Sequence, residues 1–152
     1  MLKKIVSGGQ TGADRAALDL ALRLGIPHAG WVPKGRRAED GPLPDRYLLK
    51  ETSTANYPER TEQNVIDSDG TLVISHGSLT EGSTYTVEMA IKHGRPWLHL
   101  DMERLTLREA SQRVRSWIAT SSIEVLNVAG PRQSNDPRIY DTVFAVLLAS
   151  LG

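Results

Sequence analysis

The chain has 152 residues, 39% of them hydrophobic and 24% charged, with 18 Lys and Arg against 18 Asp and Glu. That size and balance suit one domain of ordinary dimensions, and the zero net charge argues against a broad nucleic-acid-binding face. With no cysteine, disulfides, thiolate metal sites and cysteine nucleophiles are excluded. No apolar run is long enough to span a membrane, and the N-terminal "MLKKIVSGG" lacks a signal-peptide core, so the cytoplasm is the expected location. The charge is unevenly spread. Residues 1–50 carry nine Lys and Arg against five Asp and Glu, whereas residues 51–104 carry four against nine. A local cationic pocket is therefore compatible with a neutral whole.

In chain order, "KKIVS" (3–7) predicts a short strand ended by glycines. Residues 12–24 predict a helix from the spacing of Ala17, Leu18, Ala21, Leu22 and Leu24. Thr11 and Asp14 suit a capping box at its start, and Gly25 suits its end. "IPHAGWVP" (26–33) predicts a second strand, and "KGRRAEDGPLPDRY" (34–47) a polar loop long enough to be functional. "YLLKET" predicts a short strand. "YPERTEQNVIDS" predicts a helix with Pro58 in its first turn. "GTLVIS" predicts a buried strand, "GSTYTVEMAIKHG" a helix ending at Gly94, "PWLHL" a strand and "TLREASQRVRSWIAT" a helix. "EVLNVAG" predicts the last strand, and "DPRIYDTVFAVLLASL" a helix opened by Asp136 and Pro137. This alternation from end to end predicts one α/β domain over residues 1–152, a Rossmann-like three-layer sandwich with a mostly parallel sheet. Right-handed crossovers then bring the loops after the strands to one edge, where ligands of such folds bind.

Four glycine-containing loops are expected at that edge. In the first, Gly8, Gly9, Gln10, Thr11 and Gly12 suit a phosphate cradle ahead of a helix N-terminus, or alternatively a tight turn. Ser7 replaces the first glycine of a dinucleotide fingerprint, and no acidic residue follows the second strand to hold a ribose. Nicotinamide-cofactor binding is therefore disfavoured, and no Gly-Lys-Ser/Thr makes a Walker loop. The second loop offers Lys34, Arg36 and Arg37 as anion-gripping cations, with Glu39, Asp40 and Asp45 as neutralising neighbours. The third places Gly82, Ser83 and Thr84 at a helix start, where the hydroxyls either bind phosphate oxygens or cap the helix. The fourth places Arg132 before the last helix, with Asp136 as that helix's N-cap. No constellation spells catalysis. His76 at a strand end and Glu88 in a helix are the acid or base candidates, and a structural role competes for each.

Taken together, "SGGQTGADRAALDLAL", "GWVPKGRRAEDG", "YPERTEQNVIDSDGTLVI", "GSTYTVEMAIKHGRPWL" and "LNVAGPRQS" resemble the putative molybdenum carrier family over nearly the whole chain. The resemblance implies a Rossmann-like fold shared with the lysine-decarboxylase-like phosphoribohydrolases and with DprA. It implies a homo-oligomer, a tetramer in particular, and binding of molybdenum cofactor, a pterin with a phosphate and a dithiolene-held metal. The zero net charge and the lack of a spanning apolar run lead to the expectation of neither a nucleic-acid nor a membrane partner. The related phosphoribohydrolases carry a P-G-G-x-G-T-x-x-E loop. Here "SLTEGSTYTVE" keeps Gly82 and Thr84 but lacks the leading Pro-Gly-Gly, and Thr86 stands where the catalytic glutamate is expected, with Glu88 displaced. The expected function is a non-catalytic carrier of molybdenum cofactor or of a related phosphorylated, nucleotide-like anion. The alternatives are a nucleotide hydrolase or a nucleotide sensor on the same fold.

Overall fold

The computed structural model describes residues 2–152. Its elements are β1 (Lys4–Val6), α1 (Ala13–Leu24), β2 (His28–Ala29), β3 (Trp31–Val32), β4 (Arg37–Ala38), β5 (Gly41–Pro42) and β6 (Lys50–Glu51), then α2 (Tyr57–Ile66), β7 (Gly70–Ser75), α3 (Glu81–Lys92), β8 (Trp97–Asp101), α4 (Leu107–Thr120), β9 (Val125–Ala129) and α5 (Ile139–Leu151). Five strands form the central sheet in the order β2-β1-β9-β7-β8, and every pairing within it is parallel. The expected α/β sandwich is therefore present. A strand covered on both faces reads as a continuous apolar run rather than an alternating one, and all six residues of β7, "GTLVIS", are buried.

Helices α1, α4 and α5 cover one face. Ala13, Ala16, Ala17 and Ala21 of α1 meet Val143, Val146 and Leu147 of α5 and the sheet residues Ile5, Leu72, Ile74, Leu126 and Val128. The run of alanines sets α1 close to its neighbours, because small side chains let helix axes approach. Helices α2 and α3 pack together on the other face around Val65, Met89 and Ala90. A smaller cluster of Leu18, Val32, Leu43, Tyr47 and Leu49 seats the 33–50 segment against α1.

Several local expectations are corrected. "IPHAGWVP" is not one strand. It breaks at Gly30, so that β2 pairs with β1 while β3 pairs with β6. Gly30 has φ +146°, and a Cβ there would collide with the backbone of Ser7. The 34–47 loop contains the β4–β5 hairpin. The Thr11/Asp14 capping box is absent: Gly12, φ 78°, is the N-cap of α1, with no side-chain cap. Asp136 does not cap α5, which begins after Arg138. Its carboxylate accepts from Arg138 N and pairs with His76 Nδ1 at 2.5 Å instead. Thr80, rather than Ser83 or Thr84, caps α3 by accepting from Ser83 N. The capping box that does form lies at Thr106 and Glu109 on α4.

Candidate functional site

A cavity of about 470 Å³ opens at the C-terminal ends of β1 and β9, walled by α2 and by the start of α3. That volume lies in the range of small-molecule sites, and the place is where doubly wound sheets bind ligands. Of the residues expected from sequence, Gly8, Gln10, Gly82, Ser83 and Arg132 line it. Three of the four anticipated loops therefore converge, and the 33–41 loop does not reach the lining.

The residues outside the lining have other work. A Cβ on Gly9, φ 74°, would press on Val32, Leu43 and Leu49, and one on Gly12 would strike Pro131 O. Both glycines serve a close-packed turn. Thr11 Oγ1 donates to Glu39 and accepts from Gln133 N at 3.1 Å. Lys34 is exposed. Arg36 spends its guanidinium on four carbonyls, those of Leu43 (3.0 Å), Pro44 (2.8 Å), Tyr47 (2.8 Å) and Leu49 (3.4 Å). Arg36→Ala is accordingly expected to leave ligand affinity unchanged while lowering stability by about 2 kcal/mol in urea titration, the scale of losing charge-assisted bonds at a half-buried site. A weakened affinity with normal stability would put Arg36 back in the site.

Thr84 is exposed and lies outside the cavity. Glu88 is also exposed, on the outer side of α3. His76 lies beyond the cavity, with Nδ1 bonded to Asp136 and Nε2 at 3.1 Å from Thr142 Oγ1. Thr86, at the position of the expected glutamate, lines the cavity, but its hydroxyl donates back to Gly82 O at 3.0 Å. Neither acid or base candidate therefore faces the enclosed space.

The lining also contains residues not expected there from the sequence: Tyr57, Arg60, Thr61 and Asn64 of α2, Asn127 of β9, and Asp14, expected only as part of a helix cap. Tyr57, Arg60/Thr61 and Asn64 follow the i, i+3/4, i+7 spacing of one helix face, and that pattern is the signal by which they could have been found. Asn64 locks α2 to β3 by accepting from Trp31 N at 2.7 Å and donating to Trp31 O at 3.2 Å. Arg60 then projects across the first loop. Its Nη1 donates to Gly8 O at 2.9 Å and to Asp14 Oδ2 at 3.0 Å, and the two side chains are only 11% and 10% exposed. The guanidinium lies where a Cβ on Gly8 would be, so a side chain there would push Arg60 aside.

Asp14 also accepts from Gln10 N at 3.3 Å. Burial pushes its carboxyl above the ordinary value, and the charge and hydrogen bond of Arg60 oppose that push. Three guanidiniums surround the Tyr57 ring, those of Arg37 at 5.0 Å, Arg60 at 5.2 Å and Arg132 at 5.5 Å from its centre. Glu39 ties the rim together. It accepts from Thr11 and from Ser134 N and Oγ, stands 4.0 Å from Arg132, and donates its own N–H to Gln10 Oε1 at 2.8 Å. Partial burial disfavours its ionisation, but the bonds from Thr11 and Ser134 and the charge of Arg132 outweigh this and hold the carboxyl below its ordinary value.

Two donors on the cavity residues, Gln10 Nε2 and Arg60 Nε, are buried without a protein partner. At α3, Thr80 occupies Ser83 N, which leaves the first-turn N–H groups of Glu81 and Gly82 free of protein acceptors. The lining thus combines two buried side-chain donors that lack a protein acceptor with the solvent-facing N-terminus of α3. Among the described residues no group of three or more His, Cys, Asp and Glu is placed to hold a metal ion, and no helix is long and apolar enough to cross a membrane.

Comparison with known proteins agrees with the motif resemblance. The chain is 50% identical to the "Putative molybdenum carrier protein" of Syntrophus aciditrophicus SB, whose crystal structure superposes with a TM-score of 0.98, covering 99% of this chain and 96% of that one. No curated protein matches. The profile of the circularly permutated YpsA SLOG family matches residues 5–151. With a match of that extent and a near-identical fold at half identity, the chain belongs to the circularly permutated YpsA SLOG family.

Proposed function

We propose that the protein is a non-catalytic carrier of a phosphorylated, nucleotide-like anionic ligand, with molybdenum cofactor as the named candidate. The observation that carries this reading is the make-up of the cavity lining, in which Arg60, Arg132 and the start of α3 meet and Gln10 Nε2 and Arg60 Nε are buried without a protein acceptor. Phosphate and oxo oxygens are acceptors without donors when ionised, and they complement such a wall. Arg132, Gly82 and Ser83 line the same space, and Tyr57 and Tyr85 offer ring surface to a heterocycle. The metal of such a ligand is held by the ligand's own dithiolene, so the wall needs only to grip its oxygens. The near-full-length likeness to a protein named as a molybdenum carrier supports the choice of candidate.

We place the protein in the cytoplasm, without a nucleic-acid or membrane partner, and as a homo-oligomer, tetrameric by the family resemblance. Ile91, Trp97 and Leu107 are large apolar side chains left 62%, 41% and 46% exposed, which favours association. Native mass spectrometry of the protein purified from its own cells tests both points. A phosphorylated pterin with molybdenum on an oligomer is expected. A nucleotide without metal would move the reading to the sensor or hydrolase, and a monomer at high concentration would remove the assembly.

A further inference from the structure

The cavity is charge-balanced before any ligand arrives, and this bears on how it can accept an anion. Around it stand the guanidiniums of Arg37, Arg60 and Arg132 and the carboxylates of Asp14, Glu39 and Glu81. Arg60 is already engaged by Asp14 and by Gly8 O. An incoming anion therefore meets a carboxylate in possession of the innermost cation. Gln10 shows what is held ready. Its Oε1 accepts from Thr11 N at 3.0 Å and from Glu39 N at 2.8 Å. Those two donors fix which end of the amide is oxygen, and they leave Nε2 as an unpartnered donor on a side chain that is only 5% exposed. Arg60 Nε is likewise buried without a partner, on another residue of the cavity lining. Buried donors without acceptors cost stability, and a ligand oxygen at Gln10 Nε2 would relieve that one.

Building on the anionic-ligand reading above, we propose that an oxyanion of the ligand displaces the Asp14 carboxylate from Arg60 Nη1, accepting from that nitrogen and from Gln10 Nε2, while Asp14 takes one proton from solvent. The proton neutralises the carboxylate that has given up its cation, so each dianion that enters leaves one negative charge, rather than two, for Arg132 and the α3 N-terminus to offset. Burial already raises the Asp14 carboxyl, with Arg60 the chief restraint on that rise, and handing Arg60 to a ligand removes the restraint. The charged groups that bear on Asp14 are Arg60 from α2 and, more weakly, Arg15 from its own helix. The β9–α5 loop brings Arg132 to the same cavity, β9 brings the neutral Asn127, and α3 brings Ser83, Thr86 and the exposed Glu81. Carrying charge and a proton together makes loading favourable in mildly acidic conditions and release favourable in alkaline ones.

Sulfate is the probe, because it carries no titrating proton of its own over the working range. Calorimetric titration of the full chain in buffers of different ionisation enthalpy counts the protons taken up. The expected result is net uptake, with the sulfate dissociation constant rising with pH and approaching about tenfold per pH unit above the folded pKa of Asp14. Asp14→Asn is expected to bind sulfate about tenfold more tightly near pH 8, with a flat pH profile, whereas Glu88→Gln, outside the cavity, keeps the wild-type slope. Gln10→Leu, which leaves the Asp14–Arg60 pair alone, is expected to weaken sulfate several-fold. Sulfate binding without proton uptake, or a slope retained in Asp14→Asn, overturns the exchange and leaves the carrier reading standing. Failure of the wild type to bind sulfate overturns the oxyanion anchor, while the native mass spectrum judges the carrier reading separately. If Asp14→Asn does not fold, the wild-type proton count and Gln10→Leu decide.

Discussion

Arg60→Ala is expected to abolish measurable anion binding and to cost roughly 3–5 kcal/mol of stability at neutral pH, the scale found when one partner of a buried ion pair is removed. The reason lies in what stays behind. Asp14 is 7% exposed, and without Arg60 its only close donor is Gln10 N. The group then ionises only at high cost. The sign of the pH dependence follows. A carboxyl whose folded pKa lies above its unfolded value binds its proton more tightly in the folded state, so stability falls as pH rises through the interval between the two values and is regained as pH falls back. In wild type Asp14 is raised from 3.8, and loss of Arg60 widens that interval upward. Urea denaturation of Arg60→Ala should therefore show most of the deficit near neutrality and little of it in mild acid. A deficit that does not change with pH would mean that Arg60 acts through packing over Gly8 and Tyr57 rather than through Asp14.

Gly30→Ala is expected to cost about 4 kcal/mol or more, which for a chain of this size is a fall in Tm of roughly 10 °C. Two independent terms add. Gly30 sits at φ +146°, a region that side-chain-bearing residues rarely adopt. A Cβ there also meets the Ser7 carbonyl oxygen, which is backbone and cannot swing aside. Relief requires β2 to move off β1, and Ser7 opens the loop that carries Gly8 and Gln10 into the cavity. Anion affinity should thus fall along with stability, although Gly30 touches no ligand. Thermal melting with a sulfate titration checks both, and a variant that melts like wild type would show that the β2–β1 contact tolerates a side chain.

Much of the architecture was legible because it is written in local patterns. A short apolar run such as "GTLVIS", rich in β-branched residues and opened by glycine, suits a strand buried on both faces, and the spacing of Ala17, Leu18 and Ala21 with Gly25 behind them suits a helix that stops there. The candidate site was half legible. Gly8, Gln10, Gly82, Ser83 and Arg132 follow strands, and the connectivity of an α/β sheet delivers such residues to one edge. Arg36 misled because a loop arginine beside glycines looks free, while its four carbonyl partners come from residues 43–49, folded back over it. Arg60 was missed because a polar stripe on a short helix ordinarily faces water.

The amino-acid sequence by itself determined the element types, their alternation, the absence of cysteine chemistry and the glycine positions where the backbone must turn, since each depends on a residue and its near neighbours. Tertiary structure alone decided that the last strand, β9, enters the sheet between β1 and β7, and so which loops meet. It alone joined Asp14 to Arg60 across 46 positions, and Glu39 to Ser134 across 95. Contacts at such separations are set by how helices and strands pack rather than by local propensity, and the charge that a pocket presents is settled only once those partners are in place.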